Sequence, residues 1–157
     1  MTPFSRTLPA EADTLALGCA LAGGIRPGMV IYLMGDLGAG KTTLARGLLR
    51  GLGITGKVKS PTFTLVEVYE VSRLYLYHFD FYRFTGQKNE VLELEEAGFR
   101  EYFNPQSVCL VEWPENAAGL PTADVRVVLD VAGSGRQASI FANSEAGATC
   151  LKSLPMM

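Results

Sequence analysis

Gly35-Asp36-Leu37-Gly38-Ala39-Gly40-Lys41-Thr42 follows G-x-x-x-x-G-K-[ST], the spacing of a phosphate-binding loop. Glycines there let successive backbone N–H groups turn inward around phosphate oxygens, and a helix starting behind them favours negative charge at its first turn. The Lys41 ammonium can reach the β- and γ-phosphates of a nucleotide, the Thr42 hydroxyl can ligate Mg²⁺, and Thr43 continues the same turn. Such a loop also needs a carboxylate, and two are candidates. Glu112 closes the apolar run Ser107-Val108-Cys109-Leu110-Val111, as a buried parallel strand does when it delivers an acid to a metal. Asp80 sits in His78-Phe79-Asp80-Phe81-Tyr82-Arg83, where it can position water or support the metal. Alternatively, Asp80 pairs with Arg83 or accepts a hydrogen bond from His78 without any role in chemistry. Glu112 is the better metal ligand because its strand reads as central, and Glu115 is a reserve carboxylate.

Two further positions have chemistry to offer. Thr62, in Lys59-Ser60-Pro61-Thr62-Phe63-Thr64, follows the loop's helix where a γ-phosphate-sensing switch would lie; otherwise it is part of a turn opening a strand. Arg136, in Gly133-Ser134-Gly135-Arg136, is either a surface residue or a planar cation able to stack on a base.

The flanking patterns supply the elements that would hold these groups. Met29–Met34 is continuously apolar, as expected of a strand buried on both faces, and it feeds the loop. Helical spacing resumes after the loop and ends near Leu52, at Gly53. An earlier helix runs from Pro9 to Ala22, started by Thr7 or Pro9 and stopped by Gly23-Gly24; its beginning is a candidate neighbour of the nucleotide. Thr64–Val71 and Leu74–Tyr82 read as an antiparallel hairpin that places His78, Asp80 and Tyr82 on one side. Glu90–Phe103 is an acidic, partly helical connector. Trp113-Pro114 leaves the sheet, with Trp113 packing at its rim or facing a partner. Asp124–Val131 and Gln137–Ala142 form a last strand pair, and from Asn143 the pattern fades into a weakly patterned tail. The expected fold is a single α/β domain, P-loop NTPase-like, with a mainly parallel central sheet flanked by helices and extended by antiparallel hairpins.

Composition excludes several classes. With 157 residues, 48% hydrophobic and 19% charged, the chain can bury a core and is not a disordered segment. A net charge of −2 gives no support to broad charge-driven binding of nucleic acid or membrane, although Arg46, Arg50, Lys57 and Lys59 form either a solvated basic face or a local docking patch. No apolar run approaches a membrane span of roughly 20 residues, and Met1–Arg6 lacks a secretory layout. Cys19, Cys109 and Cys150 form no C-x-x-C pattern and read as reduced thiols of a cytoplasmic protein. A single histidine, His78, argues against a histidine-based zinc site.

Taken together, GDLGAGKTT (Gly35–Thr43), KSPTFT (Lys59–Thr64), HFDFYR (His78–Arg83) and CLVEWP (Cys109–Pro114), in this order, resemble the TsaE family, formerly YjeE. The resemblance spans nearly the whole chain, and the four blocks together are far more specific than the loop alone. It implies a small bacterial ATPase needed to make threonylcarbamoyladenosine, the modified adenosine beside the anticodon of certain tRNAs. It also implies work with the TsaD–TsaB pair, which transfers the group from the adenylate made by TsaC. By the same resemblance, residues 35–43 bind ATP or ADP, Thr42 and Glu112 serve Mg²⁺, Thr62 and Asp80 belong to the switch and hydrolysis apparatus, and Arg136 matches an arginine near the nucleotide. tRNA would be reached through the complex. Two rival readings are a small-molecule kinase, against which the chain shows no arginine cluster after Leu94, and a GTPase-type docking protein, against which it shows no N-K-x-D segment.

Overall fold

The computed structural model describes residues 3–36, 38–54, 66–71, 74–84, 88–96 and 98–155. Its strands are β1 (Phe4–Leu8), β2 (Val30–Met34), β3 (Val66–Val71), β4 (Leu74–Asp80), β5 (Ser107–Glu112), β6 (Val125–Ala132) and β7 (Gly135–Ala142). The α-helices are α1 (Glu11–Ala22), α2 (Lys41–Gly51), α3 (Lys88–Glu96) and α4 (Glu145–Lys152). Short 3-10 helices cover Phe99–Tyr102 and Pro114–Asn116. Among the described residues, no helix is long and apolar enough to cross a membrane.

All seven strands join one sheet in the order β1-β7-β6-β2-β5-β4-β3. The expectation of a mainly parallel sheet is corrected to a mixed one. The pairs β6–β2, β2–β5 and β5–β4 are parallel, whereas β1–β7, β7–β6 and β4–β3 are antiparallel. The hairpins were expected to add antiparallel strands; the further shift comes from β1. Its sequence FSRTL is half polar because it pairs only with β7. The tail, only weakly patterned in the sequence, carries α4, capped by Ser144 Oγ accepting from Gly147 N–H at 3.0 Å.

Each central strand alternates its side chains between two apolar layers. Leu76 of β4, Val108 and Leu110 of β5 and Ile31 and Leu33 of β2 pack with Leu17 and Leu21 of α1 and Leu44, Leu48 and Leu49 of α2. Burying each such leucine contributes about 2 kcal/mol. The opposite layer is aromatic, with Phe79, Phe81 and Phe99 packed around Val111 and Cys109. α1 opens with Ala10 N–H donating to Asp13 Oδ2 at 2.9 Å and ends, as its sequence indicates, at Gly23. α1 and α2 meet backbone to backbone. A Cβ on Gly18 would lie 2.2 Å from Leu44 O, and one on Gly47 would lie 2.2 Å from Leu15 O. That contact fixes where α2 begins.

Candidate nucleotide site

β2 lies between β5 and β6, and the chain leaves its carboxyl end as the glycine-rich loop. Gly35, Gly38 and Gly40 take φ of +146°, +81° and +102°, a region that L side chains rarely adopt. Gly35 has a second constraint: a Cβ there would stand 2.4 Å from Leu129 O, where β6 runs on past the end of β2. Ala39 N–H donates to Asp36 O at 3.0 Å, and Leu44 N–H donates to Gly40 O at 2.9 Å as α2 takes over. The first turn of α2 has no acidic residue and no side-chain cap among the described residues, so the positive end of its dipole faces the loop.

Arg136, at the start of β7, holds this loop from outside. Its Nη2 donates to Gly38 O at 3.0 Å, its Nε to Ala39 O at 3.1 Å and its Nη1 to Gly135 O at 2.8 Å. The arginine therefore lies beside the loop, with three of its N–H groups directed in the guanidinium plane to backbone carbonyls. A Cβ on Gly40 would lie 3.8 Å from Thr14 Cγ2, which brings the first half of α1 to the loop.

The two acids come together because β4 and β5 are parallel with Asp80 opposite Glu112. Glu112 is buried, and its Oε2 lies 2.6 Å from His78 Nε2, whose ring is fully buried. Asp80 is half-buried and its Oδ1 accepts from Tyr82 N–H at 2.9 Å. Burial raises the Asp80 carboxyl above the ordinary range, the Tyr82 N–H opposes this, and the neighbouring Glu112 adds to it. His78 turns to Glu112, not to Asp80. Tyr82 does not share their face: β4 ends at Asp80, and the Tyr82 ring instead packs 5.2 Å from that of Trp113.

Lys41, the first residue of α2, is only 5% exposed. Its Nζ donates to the Gly35 carbonyl and sits 3.7 Å from the centre of the Trp113 ring. Burial lowers the ammonium's pKa; the fields of Glu112, Glu115, Asp80 and Asp36 push it back up. Trp113 reaches this position with φ +56°, alone among the described non-glycine residues in having positive φ. Backbone held in that region costs about 1–3 kcal/mol and concentrates at functional sites.

Thus the loop residues Gly35, Asp36, Gly38, Ala39 and Gly40, the helix start at Lys41, Thr42 and Thr43, and Asp80, Glu112 and Arg136 meet at one edge of the sheet. Leu37 and Thr62 lie outside the described residues, as do Lys57 and Lys59. Arg46 does not stand in an open basic patch; it pairs with Glu11 of α1 at 2.7 Å. Sequence reasoning missed the Lys41–Trp113 contact and the His78–Glu112 bond, whereas it had named the start of the first helix, where Thr14 lies, as a candidate neighbour of the nucleotide. The HFD and VEW blocks held a signal for the second, since two residues per strand repeat place His78 and Glu112 on one face once β4 and β5 are paired.

Among the described residues, no group of three or more His, Cys, Asp and Glu side chains is assembled to hold a metal by itself. Mg²⁺ does not require one, because it binds through one or two carboxylates together with substrate phosphates and water. The donors here are oxygens, and the adjacent carboxyls of Asp80 and Glu112 suit a hard cation.

The arrangement defines an α/β protein that sets a phosphate-loop sequence at the carboxyl edge of its parallel strands. Residues 8–138 match the family described as threonylcarbamoyl adenosine biosynthesis protein TsaE. The chain belongs to that family. It is 48% identical over 120 residues to the tRNA threonylcarbamoyladenosine biosynthesis protein TsaE of Haemophilus influenzae, covering 76% of this chain and 73% of the relative. The protein of the same name from Bacillus subtilis is 42% identical over 137 residues, covering 87% of this chain and 82% of the relative. The crystal structure of Bacillus subtilis YdiB superposes with a TM-score of 0.77 at 33% identity, over 96% of this chain and 93% of that one.

Proposed function

We propose that this chain is a P-loop, Mg²⁺-dependent ATPase that serves threonylcarbamoyladenosine formation on tRNA in the cytoplasm, hydrolysing ATP in association with TsaD–TsaB. The observation that carries the reading is the convergence of Lys41, the loop amides, Asp80 and Glu112 at one sheet edge. The loop N–H groups and the α2 N-terminus would hold the phosphates, and Lys41 would leave the Gly35 carbonyl and Trp113 ring to meet the β- and γ-oxygens. Thr42 and Glu112 would hold Mg²⁺, which when bound supplies charge neutralisation between the phosphates. Asp80 would orient the attacking water, with Thr62 reporting nucleotide state. Relatives named for tRNA threonylcarbamoyladenosine biosynthesis support the pathway, and the partners follow from the family resemblance.

Phosphate release from ATP, measured with this chain alone and with purified TsaD–TsaB, tests the proposal. The expected result is slow release that rises when the pair is added and is lost in Lys41→Ala and Glu112→Ala. An unchanged rate with TsaD–TsaB removes the partner assignment, and full turnover by either variant removes the mechanism.

A further inference from the structure

His78 is a buried polar group that the ATPase chemistry above does not use. Its side chain is fully buried in the leucine layer, and its Nδ1 is buried without a hydrogen-bond partner among the described residues. An unsatisfied buried polar atom is destabilising, because it loses its bonds to water without replacing them. Leu76, two residues earlier, and Leu110, directly opposite on β5, fill the same layer without that cost. Packing alone therefore favours a leucine at position 78, and the histidine needs another reason to be there.

The sheet register supplies it. β4 and β5 run parallel, with His78 opposite Leu110 and Asp80 opposite Glu112, so His78 lies one pair deeper on the face that carries both acids. From that depth Nε2 reaches Glu112 Oε2 at 2.6 Å, while Lys41 and the loop lie beyond the strand ends. A bond from inside the sheet fixes the plane of the Glu112 carboxylate without occupying the edge where a nucleotide would sit. Carboxylates that ligate metals are commonly held this way, and losing such a support costs about 10–100-fold in metal affinity.

We propose that His78 is a positioning residue: its Nε2–H donates to Glu112 Oε2 and presents that carboxylate to Mg²⁺ in a single orientation. This rests on the reading of Glu112 as a metal-side carboxylate. Its test need not use turnover. Trp113 is the only tryptophan and touches Lys41, so its fluorescence reports ADP binding at the loop. ADP affinity is measured in EDTA and across a Mg²⁺ titration for the native chain, His78→Leu, His78→Gln and Glu112→Gln, with melting temperatures alongside.

For His78→Leu, the expected result is unchanged ADP affinity in EDTA and a melting temperature close to the native one, because removing the unsatisfied Nδ1 offsets the donor lost to the buried Glu112 carboxylate. Its Mg²⁺ midpoint should shift upward by about 10–100-fold. His78→Gln, which can still donate an N–H, should recover most of that shift, and His78→Leu should add little on top of Glu112→Gln. An unshifted Mg²⁺ midpoint in His78→Leu, or equal losses of affinity with and without Mg²⁺, would overturn the proposal and leave a histidine that only packs. A native chain whose ADP affinity ignores Mg²⁺ would instead overturn the underlying reading of Glu112, an outcome visible before any variant is made.

Discussion

Replacing Gly47 by alanine sets two physical effects against each other. Alanine in a helix interior is worth about 1 kcal/mol more than glycine, so propensity alone stabilises the variant. Against this, the new Cβ would stand 2.2 Å from Leu15 O, 3.0 Å from Leu15 C and 3.1 Å from Leu15 Cα, all backbone atoms of α1. No rotamer change relieves a clash with backbone, so α1 and α2 must part by about 1 Å to reach carbon–oxygen contact. Overpacking of this kind costs about 3 kcal/mol, at the upper end of its usual range. The net loss is then about 2 kcal/mol, a fall of about 4–8 °C in melting temperature for a chain of this length. The shift also moves Lys41 and Thr42, which start α2, and misplacement by about 1 Å can cost roughly 100-fold in turnover. Calorimetry and phosphate release with Mg²⁺-ATP measure both consequences. Gly47→Ala melting at or above the native temperature would refute the argument, because propensity would then have won. Gly18→Ala makes the reciprocal clash, 2.2 Å from Leu44 O, and the double variant should lose less than the sum because the helices separate once.

Asp80→Asn should raise the melting temperature above neutral pH while impairing hydrolysis. The folded carboxyl is raised, chiefly by burial, so the folded state binds its proton more tightly and loses stability as pH rises through that range. Asparagine keeps an oxygen for Tyr82 N–H; the gap between variant and native melts should close on acidification, and a gap that widens there would contradict the assignment. Arg136→Ala removes donors to the Gly38 and Ala39 carbonyls, each worth about 1 kcal/mol net, and by depopulating the ordered loop should lower nucleotide affinity by up to about 30-fold. ATP-over-GTP preference should not change; a changed preference would indicate a base-stacking role. Burial raises the Cys109 thiol to about 12 and also raises that of Cys150, whereas Cys19 is exposed. Native protein treated with a maleimide should carry one adduct, at Cys19, by mass spectrometry; modification of Cys109 at the same rate would mean that the aromatic layer opens.

What the sequence determined by itself is local. The glycines at 35, 38 and 40, the apolar run before them and the helix after them specify strand, loop and helix within about two dozen residues, and each obeys a short-range rule of spacing or φ. The acid at the end of β5 was legible in the same way, as an apolar run closing on Glu112. Elements stabilised only by distant partners were not legible. β1 is an edge strand whose hydrogen bonds go to β7 at the far end of the chain, and α4 packs by burying Cys150 against Leu21 of α1, although its Ser144 cap is a local signal. The roles of individual side chains were decided at the same level. Which strands are parallel neighbours determines that His78 meets Glu112, and where β7 starts determines that Arg136 bonds the loop carbonyls. Trp113 lies against Lys41 only because the chain turns through positive φ at the end of β5. Periodicity says which way a side chain faces; only the order of the strands says what it faces.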